Sequence, residues 1–173
     1  MKAEKQMMGI SDSIVKEMDQ EAVITRRLLD IIPEEKLTWR PHPKAMTLGE
    51  LAMHLATLQA GVAALGQQET TDFKEIPANA QPSSKAEILR TFTESLQKAK
   101  DIVGTTTDAQ ALSEWKLTKE GNTLMTMPRI GLWRAILLNH NYHHRGQLST
   151  YLRELDIPLP SIYGPSADVN PFA

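Results

Sequence analysis

Apolar residues recur at three- and four-residue steps in four separate stretches of the chain, the spacing of helices that each turn one face toward a core. The first stretch takes Ile10, Ile14, Met18, Ala22, Leu28, Leu29 and Ile32 and predicts a helix from about residue 5 to Ile32, stopped by Pro33. The second carries Leu48, Leu51, Leu55, Leu58, Val62 and Leu65. It opens with Thr47-Leu48-Gly49-Glu50, a capping box in which the two side chains satisfy each other's orphan backbone donors. The third opens with a second such box, Ser84-Lys85-Ala86-Glu87, and continues through Ile88 or Leu89, Phe92, Leu96, Ala99 and Val103 until Gly104. The fourth starts after Pro128 and reaches about Leu155, with Trp133, Leu137, His140, His144, Leu148, Tyr151 and Leu155 on one face. Arg145, Arg153 and Glu154 are placed on its outer side.

The connections differ in character. Residues 34–43 hold Pro41 and Pro43, with Trp39 expected to plug the end of the core and His42 to be solvated. Residues 66–83 form a polar link with Pro77 and Pro82, far longer than a tight helix turn needs. That length lets the second and third helices run parallel. Between residues 109 and 127, Trp115-Lys116-Leu117-Thr118, Glu120-Gly121-Asn122 and Thr123-Leu124-Met125 fit a small hairpin or a loop equally. The tail, residues 157–165 with Phe172 beyond, is proline-rich yet apolar, and is expected to lie on the helices as a strap. Its simplest role is cover for apolar helix surface; a second is to close one mouth of a site.

At 173 residues the chain suits one domain, residues 1–173, with a core of ordinary size. Lysine plus arginine number 19 against 21 aspartates and glutamates, a balance that gives no footing to a nucleic-acid or anionic-membrane surface. No uninterrupted apolar run approaches the roughly 20 residues of a membrane span. The opening Met1-Lys2-Ala3-Glu4-Lys5 lacks the apolar stretch of a secretory signal, so a cytoplasmic location is expected. There is no cysteine, which removes disulfides, cysteine-ligated zinc and a protein-borne thiol nucleophile together.

Two members of the fourth apolar face are histidines, His140 and His144, one helical turn apart. A buried imidazole without a partner costs free energy, and a divalent metal is a partner both can share. The alternative is ordinary: core histidines bonded to neighbours, since this spacing also arises by chance. A third ligand from another segment decides between them. His54 lies beside the second apolar face, one turn from Leu51 and Leu58 and on the flank of Gly61, where it can enter a space between helices. Alone it reads as a boundary histidine; with His140 and His144 it supplies the third nitrogen.

Four segments resemble the DinB/YfiT-like family of damage-inducible, metal-dependent proteins: Trp39-Arg40-Pro41-His42-Pro43, Thr47-Leu48-Gly49-Glu50-Leu51-Ala52-Met53-His54, His140-Asn141-Tyr142-His143-His144-Arg145-Gly146-Gln147-Leu148, and Ile162-Tyr163-Gly164-Pro165-Ser166-Ala167-Asp168. The resemblance implies an all-α four-helix bundle, up-down-down-up, with a long crossover between helices two and three. It implies one divalent metal, zinc or nickel, held by His54, His140 and His144. His143, beside them on a rotated face, is given a supporting or surface role. Trp39, Trp115, Tyr142 and Tyr163 become candidates to line a pocket, from their nearness to the matched segments.

Relatives in that family include enzymes that use a metal to activate a low-molecular-weight thiol, for transfer to electrophiles or for isomerisation, while many others have no established activity. They are commonly dimers, and a homodimer is expected here. The resemblance therefore implies a thiol S-transferase acting on small electrophiles in stress or detoxification, with the thiol as cosubstrate. A metal-dependent hydrolase and a non-catalytic metal-binding or small-molecule-binding bundle are the alternatives. No aspartate or glutamate lies at a spacing that marks a general base.

Overall fold

The computed structural model describes residues 8–75 and 80–173. The expected helix start at residue 5, and Pro77 of the long link, lie outside the described residues. Four long helices follow the four apolar faces: α1 (Ile10–Asp30), α2 (Leu48–Leu65), α3 (Lys85–Gly104) and α6 (His140–Glu154). Between the last two lie α4 (Asp108–Leu112), a hairpin of β2 (Glu114–Lys119) and β3 (Asn122–Pro128), α5 (Arg129–Leu132) and a π-helix, Trp133–Asn139.

The helix starts are chemically specified. Thr47 Oγ1 accepts from Glu50 N at 3.0 Å while Glu50 Oε2 accepts from Thr47 N at 2.7 Å, the reciprocal box expected there. A cap of this kind contributes about 1 kcal/mol. The second box is looser: Ser84 Oγ accepts from Glu87 N, but Glu87 Oε2 reaches one residue further out, to the N and Oγ of Ser83.

The expectation of an all-helical chain is corrected by a three-stranded sheet in the order β1-β2-β3. β1 (Thr70–Asp72) lies in the long link and pairs in parallel with β2; β2 and β3 are antiparallel. Of the two alternatives open for residues 109–127, the hairpin is the one formed. Its turn places Glu120 at φ 50° and Gly121 at φ 80°, the two positive angles of a type I′ turn. β1 is short and polar in sequence, so periodicity does not reveal it. It is held because Trp115, 3% exposed, donates from Nε1 to Thr71 Oγ1 and to Leu65 O, both at 3.2 Å. Trp115 is thus a core residue at the C-terminal end of α2 rather than a pocket wall.

α2 packs on α3 and α6, and α1 packs on α3. Cross-links mark their relative sense. Ser11 reaches Thr106 and Asp19 pairs with Lys100 between α1 and α3. Ala60 N donates to Ser95 Oγ between α2 and α3, while the chain just before α3 meets the start of α2 through Gln81 and Thr47. Among the described residues α2 alone matches a membrane span in length and apolarity, and most of that helix is buried inside the fold.

The core divides in two. One cluster gathers Ala22, Leu28, Leu51, Leu55, Phe92 and Leu148; the other gathers Met18, Leu58, Val62, Ala99, Trp133 and Leu137. Every long helix also turns buried or half-buried polar side chains inward: Thr25, His54 and Gln59, Ser95, then Asn141, His144 and Arg145. Together they make a polar waist.

The tail behaves partly as expected. Ile157, Leu159 and Ile162 pack on the first cluster, and Asp168 ties the strap down by accepting from Leu159 N and pairing with Arg153. Phe172 does not join them; it is 81% exposed. Trp39 meets Tyr151 edge-on at 5.7 Å, closing the end of the first cluster, and His42 is exposed.

Candidate metal centre

The histidines of the waist face one another. His54 comes from the middle of α2, half-buried between Leu51 and Leu58, and His140 and His144 come from the first turns of α6. His140 Nε2 lies 2.7 Å from His144 Nε2 and 3.2 Å from His54 Nε2. One ligand atom from each ring falls within 4.8 Å of the others.

Hydrogen bonds alone satisfy this cluster poorly. A neutral imidazole carries one ring proton, and a proton on His140 Nε2 can serve one of its two contacts in good geometry. A proton on a second of these Nε2 atoms would set donor against donor. A cation accepting a lone pair from each ring meets all three demands together. Nitrogens about 2.0–2.1 Å from a tetrahedral ion sit roughly 3.3 Å apart, and roughly 2.9 Å at a right angle. The 3.2 Å contact matches the first spacing and the 2.7 Å contact lies nearer the second. The donor set therefore fits zinc and nickel alike.

The electrostatics agree. Burial holds the His140 and His144 imidazoles below the ordinary histidine range, with the neighbouring histidines pushing the same way. The rings thus stay neutral, the form that ligates. His144, 8% exposed, is also fixed from behind: Nδ1 lies 2.7 Å from Gln147 Oε1.

The profile of the DinB family matches residues 4–169. The chain belongs to the DinB family. The protein YrdA of Bacillus subtilis (strain 168), whose function is uncharacterized, is 26% identical over 166 residues, covering 94% of this chain and 93% of that one. Two crystal structures share the fold: a DinB-like protein of Bacillus cereus ATCC 10987 and the DinB-like protein YjoA of Bacillus subtilis. The first has a TM-score of 0.68 and 20% identity, covering 88% of this chain and 97% of its own. The second has a TM-score of 0.69 and 20% identity, covering 87% and 97%.

Within this DinB fold the segments that carried the resemblance separate by role. His143 is exposed, its ring centroid 4.8 Å from that of His144, and it stays outside the converging trio. Tyr142 and Tyr163 belong to the opposite side of α6. Tyr142 donates to Glu17 Oε1 at 2.9 Å on α1; burial, and then this hydrogen bond, push its phenol well above the ordinary tyrosine range. Tyr163 donates to Glu21 Oε2 at 2.7 Å.

Arg145 is the largest departure from expectation. Its placement on the outer side of the helix is corrected: it is 1% exposed, paired with Glu21 at 2.7 Å and held between the rings of Tyr142 and Tyr163 at 5.2 and 4.9 Å. An arginine at that depth needs a carboxylate, and α1 supplies one.

A second cation, Arg129, anchors the far end of the same helical path. It donates to the carbonyls of Gly66 (2.7 Å), Gln68 (3.0 Å) and Glu114 (3.1 Å) and to Ser113 Oγ, capping the C-terminal end of α2. A cavity of about 620 Å³ opens there, lined by Gly66, Glu69, Glu114, Lys116 and Arg129 and by none of the histidines.

Along the π-helix that joins α5 to α6, Trp133, Leu137 and Leu138 are buried. Trp133 and Leu137 stand four apart, the ordinary α-helical step, so the apolar spacing gives no sign of the wider turn.

Proposed function

We propose that this DinB protein is a metal-dependent enzyme that joins a low-molecular-weight thiol to small electrophiles, with one divalent ion held by His54, His140 and His144. The observation that carries the proposal is the convergence of three imidazole nitrogens from two helices, with no acidic ligand among them. An ion held by three neutral donors keeps its full double charge and supplies Lewis acidity toward a bound thiol or water.

The chain's own residues do the rest. Burial favours the neutral form of His140 and His144, and α2 and α6 hold the three rings in place before any substrate arrives. The absence of cysteine means the sulfur comes from a cosubstrate. In the reaction its sulfur bonds to the electrophilic carbon, the leaving group departs with the bonding pair, and the thiol proton passes to solvent.

The contacts between helices support reading the four long helices as one up-down-down-up bundle, with residues 66–83 as the crossover. We place it as a single domain, a homodimer, in the cytoplasm, with a small-molecule substrate. Hydrolysis by activated water, and metal binding without catalysis, are the competing readings. A cobalt-substituted sample titrated with small thiols decides. A sulfur-to-cobalt charge-transfer band is expected, with consumption of thiol and 1-chloro-2,4-dinitrobenzene above background that disappears in His144→Ala. No spectral change with any thiol overturns the transferase reading and favours water as the nucleophile.

A further inference from the structure

We propose that Gln147 is the positioning residue of the histidine trio, holding His144 in the one neutral form that can present Nε2 to a cation. Gln147 follows His144 by three positions on α6, so the two side chains share a face. Its Oε1 lies 2.7 Å from His144 Nδ1. A carboxamide oxygen has lone pairs and no proton, so the proton of this contact belongs to Nδ1. A neutral ring has only one, which leaves Nε2 as a bare lone pair. That atom is 2.7 Å from His140 Nε2, inside the trio. The other neutral form would set an Nδ1 lone pair against the lone pairs of Oε1 and point a proton at His140. The contact therefore selects the protonation pattern and fixes the rotation of the ring, the service that outer hydrogen-bond partners give to ligating histidines.

This inference rests on the metal reading above, and its test separates the two. The first measurement needs no metal: ring ¹⁵N–¹H correlation spectra of the metal-free protein. His144 is expected as the Nδ1–H form in the wild type, and as a mixture or the Nε2–H form in Gln147→Leu, which removes the acceptor. The second is titration with cobalt chloride. Gln147→Leu should bind about 10–100-fold more weakly than wild type. Gln147→Glu, which keeps an acceptor at the same reach, should restore binding to wild-type strength or better. A bond that serves only helix stability predicts equal tautomers and equal cobalt affinity once the variants are shown folded by circular dichroism. That result overturns the positioning role while leaving the metal reading intact. A wild type that binds no cobalt overturns the metal reading, and the tautomer spectra then decide the role of Gln147 alone.

Discussion

Arg145 Nη1 lies 2.7 Å from Glu21 Oε2, and the arginine is the residue directly after His144. The helix that carries two of the three waist histidines is thereby pinned to α1 on one side while its histidines face α2 on the other. The two partners are unequally buried, at 2% and 18% side-chain exposure. Removing the acid strands a deeply buried cation, whereas removing the base leaves a carboxylate able to turn toward water. Glu21→Gln is expected to lower unfolding stability by about 3 kcal/mol, and Arg145→Met by distinctly less. Urea denaturation of both variants checks this; equal losses would show that the depth of the cation is irrelevant.

Each of His54→Ala, His140→Ala and His144→Ala should abolish stoichiometric zinc or nickel, because two imidazoles remain where three are needed. His42→Ala and His143→Ala should keep it, since both rings are exposed and outside the trio. Elemental analysis of the purified variants is sufficient. Full occupancy in His54→Ala would remove α2 from the site.

The metal-free protein should lose stability in mild acid. His140 and His144 titrate lower in the folded chain than the ordinary 6.5, so the unfolded chain takes up protons first as pH falls. Stability is therefore full above about pH 7 and declines from the ordinary histidine value down toward the depressed ones. Urea midpoints measured from about pH 7.5 to 5 should fall, and the fall should be shallower in the double variant His140→Ala/His144→Ala. An unchanged slope would show that these rings are not held neutral.

Gln59, 5% exposed, has its Oε1 buried with no hydrogen-bond partner among the described residues. An orphaned acceptor in the waist lowers stability, so Gln59→Met, apolar and similar in shape, is expected to stabilise by about 1 kcal/mol. Thermal unfolding at neutral pH measures it, and a lower midpoint would show that a solvent molecule satisfies the oxygen.

The helices and the histidines were legible in the chain because amphipathic spacing and metal-ligand chemistry are both local signals. His54, His140 and His144 each stand beside an apolar face, and the burial of Leu51, Leu55 and Leu148 carries them to their places. What escaped is non-local. Thr71 is buried only because Trp115, 44 residues later, folds over it, and nothing in Thr70–Asp72 itself announces a strand. Arg145 reads as a surface charge until Glu21, on a helix 124 residues earlier, is placed opposite. The π-helix escaped for another reason, since Trp133 and Leu137 keep the four-residue step of a plain helix.

That π-helix has a consequence for how the chain can vary. Arg129 at one end of the path must grip the carbonyls of Gly66 and Gln68, and His140 at the other must meet His54, so both ends dock on the same helix. A plain α-helix fixes the angular phase between two such residues at about 100° per position. The π stretch works as a vernier, absorbing a residue that would otherwise put the two dockings out of phase. Deleting one residue from Trp133–Asn139 would restore regular winding and leave both dockings in phase, whereas inserting a further residue would swing Arg129 by about 100° from its carbonyls, or else swing the histidines from His54. An insertion in this segment is therefore harder to accommodate than a deletion, because the extra residue is already stored there.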